Sequence, residues 1–351
     1  MGINGIANNL IKSYLNNRQQ FVSLKSTLDS KPDVRSPSQI NDCGVPQGSI
    51  LGPLLFLIFI NDLPHNVSNS NITLYADDTS QLFKADHTGD ISKSISIGVN
   101  EINEWCRQNG LVLNINKTVL LNFHTIQNLP DCSFYILLNG KSIKTVSNTK
   151  LLGLNISDTL SWDVHVNTLC SKLNSICYLL KKCRSIVNNN ILINIYYAYF
   201  QSVCAYGIIF WGDSPSFQRA FIIQKRAIRI ITKSTVSTSC RSLFKQLKIL
   251  TVPSLFIYEC IVFVAQHKEL FIMSSDVHNC NTRSKTQLRL PPHRLSLYSK
   301  NMYCNCIRFY NKLPSNLKNE NNISKLKKKL KSFFIENIFY NINEFMASNI
   351  K

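Results

Sequence analysis

The sequence lacks several features that would assign it to a common class of secreted or small protein. Its 12 cysteines include no Cys-x-x-Cys pair, and no signal peptide opens the chain. These absences argue against a disulfide framework and predict free thiols in a reducing, intracellular compartment. Neither an internal repeat nor a glycine- or serine-rich linker divides the 351 residues. That length suffices for two or three domains.

A zinc site is the alternative explanation for part of this cysteine content. Cys280, Cys304 and Cys306 lie near His278 and His293 in the sequence. Two of these cysteines, 304 and 306, fall in a predicted helix, where residues two apart do not share a face. Structural zinc sites usually take closely paired cysteines. The sequence therefore argues against zinc.

Acidic residues are scarce, and their scarcity is confined to one part of the chain. Lys and Arg number 39 against 20 Asp and Glu, a net charge of +19. Residues 1–130 carry nine basic and ten acidic residues, whereas residues 131–351 carry 30 and 10. This asymmetry is typical of a catalytic region joined to a region that binds nucleic acid. A lysine-rich solubilising surface would explain the same composition.

Long hydrophobic runs are few, and one of them could be either a membrane span or a helix packed within the protein. Residues 185–212 carry no charge and are long enough to cross a bilayer. Their middle contains several asparagines, a glutamine and three tyrosines, which are unfavourable in lipid and normal on a half-buried helix. The run therefore predicts a helix packed within the protein, and no membrane partner is expected.

The predicted secondary structure places the carboxylates of interest on a turn. Ile72–Tyr75 and Leu82–Phe83 indicate two strands, joined by a tight turn with Asp77 and Asp78 at its tip. Upstream, a loop rich in glycine and proline runs into Leu54–Ile60, a segment that is apolar on all sides and hence predicts a buried helix.

Further along, helical stripes alternate with short strands. Ile95, Val99, Ile102 and Cys106 share one helix face. Leu111–Ile115 and Val119–Phe123 indicate strands around Lys117. From residue 166 the pattern becomes helical, with a second apolar stripe at Val166, Leu169, Leu173, Ile176 and Leu180. A helix that backs a small antiparallel sheet is what these patterns predict for the first part of the chain.

In this order, the Gly44–Pro53 loop and the Tyr75-Ala76-Asp77-Asp78 turn resemble the reverse transcriptase of non-long-terminal-repeat retrotransposons, in particular the jockey-like elements. Further blocks carry the resemblance in family order: Gly2–Ile6, Ile11–Val22, Leu111–Thr118, Lys150–Leu154, Trp162 and His165. The resemblance implies an α+β fold, a partial right-hand polymerase palm followed by a mostly helical thumb and C-terminal region. The predicted domains are 1–158 for the palm, 159–235 for the thumb-like region and 236–351 for the basic C-terminal region.

The family's reaction needs two divalent metal ions. By resemblance, Asp77 is the main metal ligand, Asp78 supports it, and Lys117 protonates the pyrophosphate leaving group. Mg²⁺ is the expected cofactor, with Mn²⁺ as an alternative. An Asp-Asp turn held by bonds to its own backbone, and a plain surface lysine, are the bland interpretations of the same residues.

The resemblance also implies a set of substrate-binding residues: Gly44, Pro46, Gln47, Gly48, Tyr75 and Gly153. Their partners would be an RNA template, a DNA primer and deoxynucleoside triphosphates. The alternatives are an ordinary loop before a core helix, a half-buried strand tyrosine and a hairpin glycine.

The chain departs from the family at its start. The family's fingers and a strand with another catalytic aspartate lie upstream of the segment with which this sequence opens. The chain is therefore expected to be N-terminally truncated and to polymerise poorly or not at all. The alternative function is a non-catalytic, basic nucleic-acid-binding remnant of a retrotransposon, whose binding would be sensitive to salt.

Overall fold

A computed structural model describes residues 3–25, 33–41, 43–68, 70–84, 88–127, 134–276 and 287–348, with the side chains of 88–90 excepted. Cys280 and His278, considered above for zinc, lie outside these residues. The chain divides into two compact units, residues 1–118 with 132–144, and residues 119–131 with 145–351. The finer division at residues 158 and 235 stays a prediction.

The strands are short and pair in several separate sheets. They are β1 (Arg18–Gln20), β2 (Ser23–Leu24), β3 (Val34–Arg35), β4 (Gln39–Asn41), β5 (Asn71–Tyr75), β6 (Asp78–Leu82), β7 (Val119–Leu120), β8 (Ile136–Leu138), β9 (Lys141–Thr145), β10 (Asn148–Leu151) and β11 (Leu154–Ser157). Antiparallel ladders join β1 to β4, β2 to β3, β5 to β6, β8 to β9 and β10 to β11. The mixed helix and strand content agrees with the predicted α+β class. In the described residues, however, these ladders do not merge into one palm sheet, because most strands pair only with a neighbour across a turn.

Helices supply most of the remaining structure. They are α1 (Gly5–Leu15), α2 (Leu51–Ile60), α3 (Thr88–Gln108), α4 (Asp163–Cys183), α5 (Asn189–Ile195), α6 (Ser202–Ala205), α7 (Ile208–Trp211), α8 (Gln218–Thr232), α9 (Cys240–Leu247), α10 (Val252–Gln266), α11 (Ser296–Ser299), α12 (Met302–Lys312), α13 (Ser315–Lys318), α14 (Ile323–Glu336) and α15 (Ile342–Ala347).

The hydrophobic core of the first unit is formed by apolar side chains from one face each of several helices and strands. The predicted stripe on α3 is confirmed, since its residues at 95, 102 and 106 are buried and Val99 is half-buried. The cluster is built around α3 and the end of α2, with β5 packed against it; its members are Ile60, Leu63, Ile102, Trp105, Cys106, Phe56, Val67, Ile72, Leu74, Leu111 and Leu113. This core fixes the β5–β6 hairpin by the apolar face of β5.

The prediction that Leu54–Ile60 is buried was wrong for most of its length. Within α2 only Gly52 and Ile60 are buried, while Leu54 and Leu57 are 55% and 51% exposed. The hydrophobic core of the first unit is small, so it covers only one side of α2. An apolar helix without periodicity does not reveal which side that is.

The strand predicted at Leu111–Ile115 is also absent from the structure of this segment. The Leu111 amide bonds to the Cys106 carbonyl (2.8 Å) at the end of α3, and the Asn114 carbonyl accepts from Lys117 and Thr118 (3.1 Å each). These local bonds occupy backbone groups that a strand would have used in a ladder. The second predicted strand, Val119–Phe123, is reduced to β7.

The second unit has one continuous helical core. The stripe predicted on α4 is confirmed at 166, 169, 173 and 180, with Cys177 buried where Ile176 is only partly so. Gln224 of α8 is a buried polar residue at the centre of this core. Its amide donates to the Tyr196 hydroxyl and the Leu250 carbonyl (2.8 Å each), and its oxygen accepts from the Val252 amide (2.8 Å).

Residues 185–212 form a broken series of helices in place of the single helix expected. α5 continues through a π-helical segment, Tyr196–Gln201, into α6, and the chain then turns at Tyr206 and Gly207 (φ +61°) before α7. In the described ranges no single helix is long and apolar enough to cross a membrane. One pair, α9 with α10, meets the length and composition criteria only together and is bent by 48°.

Candidate metal and nucleotide site

Asp77 and Asp78 lie at the end of the β5–β6 hairpin, as the sequence predicted, but the second strand begins at Asp78 and ends at Leu82, where the sequence had predicted it to begin. Tyr75 pairs with Asp78 across the ladder, which leaves Ala76 and Asp77 as a two-residue turn. Ala76 has φ +51°, the sign that a type II′ turn requires at its first position. Asp77 therefore sits in the turn itself, and Asp78 begins β6.

Both carboxylates are exposed to solvent. In the part of the chain that the structure describes, neither side chain has a hydrogen bond or an ion-pair partner. This argues against the bland interpretation, because bonds from the carboxylates to their own backbone are not formed.

The donor set suits a hard cation. Mg²⁺ prefers oxygen ligands, keeps several waters and is often held by one or two carboxylates together with substrate phosphates. Asp77 and Asp78 supply such oxygens at an open position. Among the described residues no group of three or more His, Cys, Asp or Glu side chains comes together as a metal site. The two aspartates thus fit a metal shared with a substrate better than a closed structural site.

The Gly44–Gly48 loop is held in place by residues from α1 and β1. Arg18 donates from Nη2 to the carbonyls of Cys43 (2.6 Å) and Gly44 (2.7 Å). Tyr14 donates to the Ser49 hydroxyl (2.5 Å), and the Ser49 amide bonds to the Pro46 carbonyl (3.3 Å). The sequence analysis assigned no role to Arg18 or Tyr14, although both lie in the Ile11–Val22 block.

The conformation of this loop explains its glycines. Gly44 (φ +70°) and Gly48 (φ +81°) both adopt left-handed backbone angles, and Gly48 occupies the third position of a turn from Pro46 to Ser49. A Cβ at either glycine would meet no other atom within 4 Å. The requirement for glycine is therefore conformational. Gln47, between Pro46 and Gly48, is exposed.

Shared packing ties three of the predicted elements to one core. Phe56 of α2 follows the glycine loop, Ile72 and Leu74 belong to the aspartate hairpin, and Leu113 precedes the Lys117 turn. All four side chains pack on the α3 cluster. The first unit thus anchors the loop, the hairpin and the lysine segment on a common support.

Lys117 is exposed in a turn just before β7. The prediction that it lies between two strands was wrong, since the segment before it is not a strand. Its amide bonds to the carbonyl (3.1 Å) and side-chain oxygen (3.3 Å) of Asn114, which fixes the backbone of the turn. The side chain itself extends into solvent.

Gly153 lies in the second unit, at the tip of the β10–β11 hairpin. Leu152 (φ +46°) and Gly153 (φ +86°) form its two-residue turn. The Tyr206 hydroxyl donates to the Leu152 carbonyl, and a Cβ at Gly153 would stand 3.3 Å from the tyrosine ring. Sequence reasoning missed Tyr206, which is 54 residues from its partner and carries no local signal.

Tyr75, the remaining predicted substrate contact, is 65% exposed on the hairpin. Its ring is therefore available to a ligand. The interpretation as a half-buried strand tyrosine does not describe it.

Comparison with known families places these elements in context. Residues 6–156 match the family described as "Reverse transcriptase (RNA-dependent DNA polymerase)". The matched range includes the glycine loop, the aspartate hairpin, Lys117 and Gly153. No solved structure gives a significant match.

Several curated relatives are proteins of mobile elements, and three of them come from Drosophila melanogaster. The "Probable RNA-directed DNA polymerase from transposon BS" is 26% identical over 259 residues, 69% of this chain and 27% of that protein. The corresponding protein from transposon X-element is 26% identical over 253 residues, with the same two shares. The "RNA-directed DNA polymerase from mobile element jockey" is 23% identical over 254 residues, 68% of this chain and 26% of that protein. The chain thus spans about a quarter of the length of these relatives.

Proposed function

We propose that this chain, whose residues 6–156 match the reverse transcriptase family, contributes to RNA-directed DNA synthesis by a non-long-terminal-repeat mobile element. The observation that carries the proposal is the pair of exposed, unpartnered carboxylates of Asp77 and Asp78 at a hairpin tip. The substrates would be deoxynucleoside triphosphates and a DNA primer paired with an RNA template.

The predicted site residues of the first unit would have different roles in the reaction. Asp77 and Asp78 would hold Mg²⁺ or Mn²⁺, which supplies activation of the primer hydroxyl and stabilisation of charge on the transferring phosphoryl group. The Gly44–Gly48 loop, with the exposed Gln47, would lie against the incoming nucleotide and the template base. Tyr75 would pack beneath the primer terminus, and Lys117 would donate a proton to the pyrophosphate that leaves.

A second candidate function is binding of nucleic acid without catalysis. The observation that favours it is the net charge of +20 on residues 131–351, against −1 on residues 1–130. Such a protein would bind RNA or DNA through the second unit, and substitution of Asp77 and Asp78 would not affect that binding.

Primer extension on an RNA template separates the two functions. The purified chain is incubated with a labelled DNA primer, deoxynucleotides and either Mg²⁺ or Mn²⁺. Any extension that the purified chain supports should fall by at least roughly 100-fold in Asp77→Asn, since metal stabilisation is worth several kcal/mol and about 1.4 kcal/mol is tenfold in rate. Asp62→Asn is the matched control, because Asp62 is an exposed carboxylate of the same unit.

The outcomes are distinct. Extension that Asp77→Asn abolishes and Asp62→Asn spares supports the polymerase. Extension that survives Asp77→Asn refutes the assignment of the site. Absence of extension from a folded chain that still binds the primer–template supports the non-catalytic function.

A further inference from the structure

Two arginines of α8 are each held by an asparagine of α4. Arg219 donates from Nη1 to the side-chain oxygen of Asn167, and Arg226 donates from Nη1 to that of Asn174 (3.1 Å). The two asparagines are seven residues apart, as are the two arginines, so the pairs recur every two helical turns. That spacing places the guanidinium groups roughly 10 Å apart along the helix. All four side chains are exposed.

The chemistry of these pairs differs from that of Arg107 and Arg241. Arg107 bonds to the carboxylate of Glu104 (2.7 Å) and Arg241 to that of Glu344 (2.9 Å), which neutralises the cation. An asparagine oxygen orients a guanidinium without cancelling its charge. Such an arginine is preorganised and keeps further N–H donors for an anion.

The groove beside the Asn167–Arg219 pair, which Asn174 also lines, is partly apolar. It has a volume of about 440 Å³ and is lined by Cys170, Ser171 and Ile222, among others. Ile222 is 55% exposed at this position. A ligand that places anionic groups on both arginines would therefore lay an uncharged part against the isoleucine.

The stripe of α4 that bears the asparagines continues to an exposed aromatic ring. Tyr178 is 63% exposed and lies one helical turn beyond Asn174, and the Lys182 ammonium is 5.5 Å from its ring centre. Asp163, the acidic residue of these two helices, lies at the start of α4. Hydrogen bonds from Ser216 and Ser161, with the charge of Arg219, lower its pKa, so this carboxylate offsets part of the charge of Arg219. Arg226 has no carboxylate partner among the described residues.

We propose that this surface of α4 and α8 binds single-stranded nucleic acid. Arg219 and Arg226, which lie two turns apart on α8, would contact two backbone phosphates. Ile222 would contact a sugar between those phosphates, and the Tyr178 ring would stack on a base. Alternation of anionic and apolar groups along the ligand is the feature that a polynucleotide has and an isolated phosphate lacks. The inference takes its class of ligand from the proposed function and adds the place of binding.

Fluorescence anisotropy of the full chain tests this surface without catalysis. The probes are a labelled single-stranded RNA of ~20 nucleotides, DNA of the same sequence, and the RNA–DNA duplex, each titrated at several salt concentrations. Arg219→Gln and Arg226→Gln should each weaken binding of a single strand several-fold and lower the salt slope by about 0.7, the value for one phosphate contact. Arg107→Gln, which removes an arginine already paired with a carboxylate in the first unit, should change neither quantity.

A second variant keeps the fold while it removes the available charge. The double substitution Asn167→Asp and Asn174→Asp preserves both contacts to arginine but makes them ion pairs. It should weaken binding at least as much as the arginine variants and leave the thermal unfolding midpoint unchanged or higher. Tyr178→Leu should weaken binding of single strands and leave the duplex unaffected.

Unchanged affinity and salt slope in the arginine and aspartate variants would overturn the proposal, as would an equal loss in Arg107→Gln. Preference for RNA or for DNA identifies which strand the surface holds. If these variants lose binding while primer extension is absent, the surface stands and the polymerase proposal fails. If extension occurs and the variants bind like the wild type, the surface alone is wrong.

Discussion

Replacement of Gln224 by leucine should destabilise the second unit strongly. The buried amide of Gln224 joins three groups, the Tyr196 hydroxyl, the Leu250 carbonyl and the Val252 amide, each at 2.8 Å. Val252 is the first residue of α10, so its amide has no partner within the helix. Leucine keeps the volume of the side chain but bonds to none of the three.

The expected loss follows from the number of groups left without partners. A buried polar group without a hydrogen bond costs about 1–3 kcal/mol, and some relaxation at Tyr196 is expected, so the total should be about 3–5 kcal/mol. For a unit of this size, that corresponds to a fall in unfolding midpoint of roughly 6–20 °C. The free energy of unfolding is measured by urea titration and the midpoint by calorimetry. Gln218→Ala, an exposed glutamine at the start of the same helix, is the control. A loss for Gln224→Leu no larger than that of the control would refute the reasoning.

Two further predictions concern the β10–β11 hairpin and its support. Burial, and secondarily the charge of Lys172, lowers the pKa of His165, whose Nδ1 accepts from the Asn155 amide (3.4 Å). Because the fold holds the imidazole neutral, its contribution to stability should be complete above about pH 6.5 and decrease as the pH falls below that value. Denaturant titrations from pH 7 to 5 should show a steeper loss for the wild type than for His165→Asn, and parallel curves would contradict the assignment. Gly153→Val should cost about 1–3 kcal/mol, since φ is +86° and the side chain would press on Tyr206, whereas equal urea midpoints would show that the turn adapts freely.

Local patterns predicted the elements whose cause is local. Alternation and turn chemistry located the Asp77 hairpin, and apolar periodicity located α3 and the buried face of α4. Such patterns predict a buried face to within a residue or two. Ile176 was predicted on the buried face of α4, but its neighbour Cys177 is the buried residue and Ile176 is only partly buried. Gly153 occupies a hairpin turn with positive φ, a conformation that glycine adopts readily, and its role as a substrate contact stays a prediction.

Features that depend on distant partners could not be predicted. Arg18 reaches the glycine loop across 25 residues, and Tyr206 reaches the Leu152 carbonyl across 54. The exposure of Leu54 depends on how little core the first unit offers, which the composition of α2 does not encode. Residues 111–115 have the apolar alternation of a strand. Their backbone groups instead form hydrogen bonds with the end of α3 and within the Lys117 turn, so no strand forms.

Binding of Mn²⁺ to the purified chain, followed by the electron paramagnetic resonance signal of the free ion, tests the central claim most directly. The account predicts that Asp77→Asn with Asp78→Asn weakens binding by at least roughly tenfold, because the pair supplies the protein oxygens of the site. Asp62→Asn should bind as the wild type does. Equal affinity of the wild type and the Asp77, Asp78 double variant would contradict the assignment of a metal site to this hairpin.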